Sequence, residues 1–173
     1  MRSAKFLIVA LLGLAGCASA PATPATQDVE FLRGCWVQKD SPGGKIQAFL
    51  RLLSHRANGD DVYAGDVIDA RNGGWRPSYR FAIAKNGSYL TFGRDPDPII
   101  EGGARVRNWI ERPPTHMPLP QAENRAVWRL TPVAGREGWI VAQGTNDKLS
   151  IYLLGADSSK GEVMFDGERD GCD

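Results

Sequence analysis

Clusters of turn-forming residues recur along most of this chain and limit what it can fold into. They lie at residues 58–60, 72–74, 86–87, 135–138, 146–147 and 157–161. Asn, Asp and Gly are the residues that tight turns favour, and short runs rich in β-branched and aromatic residues separate the clusters. The runs predict strands near residues 31–39, 46–54, 61–70, 76–85, 88–94, 104–111, 125–132, 138–145, 149–156 and 161–169.

Periodicity supports an all-β fold. Two runs alternate with a period of two, so that Tyr79, Phe81 and Ile83 face away from Arg80, Ala82 and Ala84, and Leu149, Ile151 and Leu153 face away from Ser150, Tyr152 and Leu154. After residue 30 no stretch shows the 3.6-residue period of a long helix, and at most a short helix is expected near residues 28–32.

Strands joined by tight turns pair with their neighbours in an antiparallel meander. An open meander of this length leaves two exposed edges, and closure removes them. We therefore predict a single antiparallel up-and-down β-barrel of about 8–10 strands, with a two-sheet sandwich as the alternative. Bulky inward side chains would fill its interior, whereas small residues such as Ala64, Ala82, Ala142 and Gly144 would leave room for a ligand.

The first residues carry a targeting pattern. Arg2 and Lys5 precede an apolar run, and Leu14-Ala15-Gly16-Cys17 follows. This resembles the lipobox of bacterial lipoproteins, which implies cleavage before Cys17 and lipidation of its sulfur. Because Ala18 rather than aspartate follows, the resemblance implies the periplasmic face of the outer membrane. A plain secretory peptide cleaved after Ala18 or Ala20 is the alternative, and an uncleaved transmembrane helix is a third interpretation.

The predicted domains are a signal peptide at 1–16, a lipidated cysteine and flexible tether at 17–27, and a barrel domain at 28–173. Removing residues 1–16 takes away two basic residues and no acidic one, which changes the net charge from +1 to −1. Such a balance offers no electrostatic reason to expect nucleic-acid binding. The expected attachment to the membrane is the N-terminal lipid anchor.

Two cysteines remain once Cys17 is lipidated. Cys35 and Cys172 lie at opposite ends of the domain, and an oxidising periplasm favours a disulfide between them. Two unrelated buried thiols are the alternative.

The first strand contains Gly34-Cys35-Trp36, which resembles the Gly-x-Trp of lipocalins. The resemblance implies a lipocalin-like barrel in which Gly34 lies at the base, Trp36 plugs the floor, and Arg169 of the last strand covers the indole. Neighbours in a strand point to opposite faces, so inward Trp36 and Arg169 would leave both cysteine sulfurs outside.

No residue pattern nominates catalysis. The two histidines, His55 and His116, lie in no recognisable constellation, and the Gly-x-Ser-x-Gly elbow of hydrolases is missing from the sequence. The chain also lacks a phosphate-binding loop and a metal-ligand pattern. We therefore expect no enzyme activity, no metal and no cofactor.

The proline-rich span 94–125 is the most function-like region, and Trp109, His116 and Met117 give it apolar and amphipathic surface. Long loops in compact domains often carry function, although a solvated insertion without a role is equally compatible. The first hypothesis is a lipid-anchored, non-catalytic binding module for a small apolar or amphipathic ligand. The second is a protein-interaction module, an inhibitor or envelope assembly factor, that uses the loop 94–125.

Overall fold

The computed structural model describes residues 26–71, 74–94, 99–104, 122–133, 136–155 and 161–172 of the 173-residue chain. Within these ranges ten strands follow a short 3₁₀ helix at Glu30–Leu32. The strands are β1 Gly34–Lys39, β2 Ile46–Ala57, β3 Asp60–Arg71, β4 Gly74–Ala84, β5 Tyr89–Arg94, β6 Ile99–Ala104, β7 Asn124–Val133, β8 Arg136–Gly144, β9 Lys148–Gly155 and β10 Gly161–Asp170.

The strands form a closed antiparallel barrel in which each strand pairs with the preceding and the following one. β1 pairs with β10 through three register pairs, Cys35 with Asp170, Trp36 with Arg169, and Val37 with Glu168. The predicted up-and-down barrel is confirmed, and the sandwich is excluded. We call the end where β1 begins the floor and the end where β1 ends the mouth.

A disulfide joins Cys35 to Cys172 at the floor end of the β1–β10 seam, with the two Cα atoms 5.3 Å apart. The predicted pairing of these cysteines is confirmed. It links the first strand covalently to the residues that follow the last one.

The sixth strand differs from the prediction. Residues 104–111 were expected to form it, whereas β6 spans Ile99–Ala104 and residues 105–111 lie outside the described ranges. Two glycines within β6 obscured it, since glycine has low strand propensity. The structure explains one of them, because a Cβ at Gly102 would lie 3.1 Å from the Arg129 carbonyl of β7.

The interior of the barrel holds one apolar cluster. Its largest side chains are each less than 2% exposed, and they are Trp36, Trp128, Phe81, Phe92, Phe165, Leu32, Leu50, Leu52, Ile83, Leu90, Ile140 and Leu149. The alternation predicted for β4 and β9 is present, with Phe81 and Ile151 inside. The core therefore fills the barrel between the floor and the middle of the strands.

Two of the small residues expected to leave room inside face the other way. Ala64 and Ala82 lie directly opposite each other on β3 and β4, and their neighbours Tyr63 and Phe81 belong to the interior cluster. Because strand neighbours point to opposite faces, both alanines lie on the outer wall. Ala142 is inside the core.

Candidate functional site

The floor brings together the three residues that the lipocalin resemblance implied. The guanidinium carbon of Arg169 lies 4.2 Å from the centre of the Trp36 ring. Arg169 Nη1 also donates to the Arg33 carbonyl at 3.0 Å, and its Nε donates to the Asn146 carbonyl. Gly34 has φ +139°, and a Cβ there would run into the arginine. This arrangement serves the structure, because every polar contact ends on the backbone of the barrel itself.

The segment before β1 closes the floor. Phe31 and Leu32 of the 3₁₀ helix are buried in the interior cluster. Gln27, expected in the tether, is fixed to the barrel: its Nε2 donates to the carbonyls of Gly87 at 3.2 Å and Val127 at 3.0 Å, and its Oε1 accepts from the Val127 N–H at 2.9 Å. A ligand therefore has no route into the barrel through these described groups.

A second hydrogen bond holds the 3₁₀ helix at the floor. The Tyr63 hydroxyl donates to Glu30, which also forms an ion pair with Arg33 at 3.1 Å. The hydrogen bond from Tyr63 lowers the pKa of Glu30, ahead of the effect of Arg33. Burial raises the pKa of Tyr63 to about 12, and the bond to Glu30 adds to this effect.

A polar bridge crosses the barrel on the mouth side of the apolar core. The Tyr79 hydroxyl of β4 donates to Glu162 of β10, and Arg94 Nη1 lies 3.3 Å from the same carboxylate. The Arg94 guanidinium also sits 5.6 Å from the centre of the Tyr79 ring. Burial, followed by the bond to Glu162, raises the pKa of Tyr79 to about 12. These contacts join nearly opposite walls, so they stabilise the barrel rather than present free groups to a ligand.

The outer wall of β2, β3 and β4 offers a different surface. The register places its residues in three-strand rows across the wall. From mouth to floor the rows are Phe49, Ile68 and Pro77; Asp66 and Arg80, with Arg51 beside them on β2; Leu53, Ala64 and Ala82; and His55, Val62 and Ala84. Arg51 belongs to the second row because it lies between Leu50, which pairs with Val67, and Leu53, which pairs with Ala64. We call the second row the charged row and the third the small apolar row.

A groove of about 480 Å³ lies over the small apolar row. It forms because the outward-facing side chains of Ala64 and Ala82 are short. Leu53 forms one side of the groove and is 41% exposed. An exposed leucine beside small apolar residues is a surface on which an apolar group can be buried.

Polar groups border this groove. Arg80 Nε donates to Asp66 at 3.0 Å, and His55 lines the groove from β2. Sequence analysis considered His55 only in the search for catalytic residues, named Ala64 and Ala82 as small residues that would leave room inside the barrel, and did not single out Leu53. The signal that would have found the groove is the pair of small residues Ala64 and Ala82, but recognising that they are neighbours depends on the strand register.

The opposite wall is apolar but not accessible. Its cluster on β7, β8 and β9 is buried and consists of Val127, Trp139, Val141, Tyr152 and Leu154. On the accessible wall, by contrast, Trp75 is 51% exposed and packs against Phe49 with ring centres 5.1 Å apart. The accessible apolar surface described here is therefore concentrated on β2–β4.

Several predicted residues lie outside the described ranges. They are the lipidation site Cys17 and the loop residues Trp109, His116 and Met117. Among the residues that are described, no His, Cys, Asp and Glu side chains group in a way that could hold a metal ion. The described part of the chain contains no helix that is long and apolar enough to cross a bilayer.

Comparisons with protein-family models, with curated proteins and with solved structures found no match to this chain.

Proposed function

We propose that this chain is a lipid-anchored lipoprotein of the bacterial cell envelope and that its barrel is a non-catalytic binding module for a small apolar or amphipathic ligand. The groove beside Leu53, Ala64 and Ala82 carries the binding part of this proposal. The described interior is filled with large side chains, whereas this groove leaves apolar surface open to solvent. Binding on the outer wall is therefore the use of the barrel that the geometry supports best.

The anchor part of the proposal rests on Leu14-Ala15-Gly16-Cys17 and on Ala18, which favours the periplasmic face of the outer membrane. Acyl chains on Cys17 would hold the chain at the membrane, since two or more lipid signals give stable attachment. Mass spectrometry of the N-terminal peptide from the full chain tests this. An acylated Cys17 supports the proposal, and an unmodified terminus that begins at Ser19 or Pro21 contradicts it.

The binding part is tested on residues 26–173. The closed ladder, the core and the disulfide all lie within this segment, so it is expected to fold by itself. We expect decyl maltoside, a neutral amphiphile used below its micelle concentration, to shift the amide NMR signals of Leu53, Ala64 and Ala82.

Two variants, one that fills the groove and one that adds the same bulk elsewhere, test its role. Ala64→Phe is expected to abolish these shifts, because the ring would occupy the space over the small apolar row. Val163→Phe places the same bulk on the outer wall of β10, where Val163 is 50% exposed, and is expected to leave binding unchanged. If the ligand instead shifts signals of the interior cluster, or shifts none, the groove is not the binding site.

A protein-interaction module is the second candidate. The exposed Trp75, whose ring packs against Phe49, favours it, since aromatic residues are enriched at protein interfaces and often dominate their energetics. Crosslinking in intact cells with a photoreactive residue at position 75, compared with one at position 163, tests this candidate. A specific partner crosslinked from position 75 alone supports it.

A further inference from the structure

The charged row borders the groove on its mouth side and gives this border a net positive charge. Arg51, Asp66 and Arg80 project from three adjacent strands on the outer wall, one row from Leu53. Two cations and one carboxylate leave this row with a net positive charge. Among the described residues, Asp66 is the only carboxylate that lines the groove.

The single carboxylate is already engaged. Asp66 Oδ1 accepts from Arg80 Nε at 3.0 Å, and the Arg80 side chain is 70% exposed. Arg51 is exposed and forms no ion pair with any residue in the described ranges. The row therefore offers guanidinium donors to an anion and no free carboxylate to a cation.

The width of the small apolar row sets the length of the alkyl chain that it can bury. Leu53, Ala64 and Ala82 are register partners across three strands. At a strand spacing of about 4.8 Å, this row is roughly 10 Å wide, which matches a short alkyl chain lying across the strands. A head group attached to that chain would reach the adjacent charged row.

We propose that the groove binds single-chain amphiphiles with an anionic head group, the alkyl chain lying on Leu53, Ala64 and Ala82 and the head contacting Arg51 and Arg80. This inference rests on the proposed function, because it names the ligand class of the same groove. It assigns charge selectivity to the site, which a purely apolar groove would lack.

Paired probes of equal chain length test the charge selectivity. Residues 26–173 are titrated with sodium decanoate and with decyltrimethylammonium, each below its micelle concentration, while amide NMR signals are followed. We expect decanoate to bind at least tenfold more tightly and to shift Leu53, Ala64, Ala82 and Arg51. We also expect octanoate to bind about fourfold more weakly than decanoate, because each methylene in a half-open groove contributes roughly twofold.

Charge reversal isolates the head-group contact. Arg51→Glu is expected to weaken decanoate binding about tenfold and to remove the preference for the anion. Lys45→Glu, in the exposed turn before β2, makes the same change in net charge away from the groove and is expected to leave the affinity within twofold of the wild type.

The outcomes separate the two proposals. Equal binding of both charged amphiphiles in the groove, or tighter binding of the cation, overturns the anion selectivity and leaves the binding module intact. If decyl maltoside binds in the groove and neither charged amphiphile does, the anion selectivity is likewise overturned and the binding module stands. If none of the three amphiphiles shifts the groove signals, both proposals fail.

Discussion

At the scale of single residues, the barrel depends on a few polar side chains that contact residues far from them in the sequence. Arg169 covers Trp36 and donates to the carbonyls of Arg33 and Asn146, so it joins the last strand, the first strand and the β8–β9 turn. Gln27 and Glu30 fix the segment before β1 in the same way. Each of these side chains satisfies backbone or hydroxyl groups at the floor.

Arg169→Ala should therefore lower the free energy of unfolding by about 1–3 kcal/mol, since it removes a cation–π contact and two hydrogen bonds to carbonyls. Urea denaturation followed by circular dichroism measures the loss. Arg80→Ala removes an exposed ion pair on the outer wall and should cost less than about 1 kcal/mol. Equal losses in the two variants would contradict the role assigned to Arg169.

The two buried tyrosines should make stability depend on alkaline pH. Tyr63 and Tyr79 have folded pKa values raised to about 12 from an ordinary 10.0, chiefly by burial and then by their bonds to Glu30 and Glu162. Their contribution is complete below pH 10 and is lost as pH rises from 10 to 12, because the unfolded chain releases its protons first. On the acid side, the lowered pKa of Glu30 gives a contribution that is lost as pH falls below its ordinary 4.5.

Tyrosinate absorbance of the native protein, together with urea midpoints at successive pH values, measures this dependence. The double variant Tyr63→Phe, Tyr79→Phe should be less stable than the wild type at neutral pH and should lose less stability above pH 10. If its stability falls as steeply as that of the wild type in this range, other groups govern the alkaline transition.

At the scale of elements, the seam between β1 and β10 closes the barrel with only three register pairs. The disulfide between Cys35 and Cys172 reinforces this short ladder at its floor end. Without closure, β1 and β10 would each present an unpaired edge to solvent. The seam is thus where a covalent link has the largest structural consequence.

The double variant Cys35→Ser, Cys172→Ser should be less stable by about 2–5 kcal/mol, because the disulfide closes a loop with a sequence separation of 137 in the unfolded chain. Denaturation of the wild type with and without a reducing agent gives the same comparison without substitution. Hydrogen exchange should also quicken at Cys35–Val37 before other strands. An unchanged unfolding midpoint would mean that the disulfide is dispensable for closure.

At the scale of the whole molecule, the barrel separates a packed interior from an outer wall that is open only in part. The interior cluster unites residues from the 3₁₀ helix and from strands all around the barrel. On the outer wall, β7–β9 carry a buried apolar cluster, whereas β2–β4 expose Leu53 and Trp75. In the part of the chain that the structure describes, the apolar surface open to a ligand therefore lies on the outer wall.

Two phenylalanines distinguish these environments. Phe92→Ala empties space in the interior and should cost about 3–5 kcal/mol, because neighbouring side chains collapse only partly into the cavity. Phe49→Ala on the outer wall should cost about 1 kcal/mol, mainly through its contact with Trp75. Denaturant unfolding of both variants provides the comparison, and a smaller loss for Phe92→Ala would argue against a tightly filled interior.

Much of the fold was predictable because it is encoded locally. Turn clusters and period-two alternation, as at Tyr79, Phe81 and Ile83, mark the strands and their faces wherever side chains are informative. The pairing of Cys35 with Cys172 was predicted from the expected oxidising compartment, and the outward position of both sulfurs followed from the lipocalin resemblance of Trp36 and Arg169. The strand prediction failed at β6, where Gly102 and Gly103 give the strand no side-chain pattern. At Gly102 the reason for glycine lies in the neighbouring strand, because a Cβ there would approach the Arg129 carbonyl of β7.

The tertiary structure alone decided what the barrel presents to other molecules. Alternation shows that Ala82 faces away from Phe81, but it does not say that Leu53 and Ala64 lie beside it, or that Tyr79 meets Glu162 of β10 across the interior. Those neighbours follow from the stagger between strands, which closure and core packing fix together across the whole ring. The sequence by itself thus determined the barrel class, the disulfide and the strands other than β6, while the groove and its charged border exist only through the register.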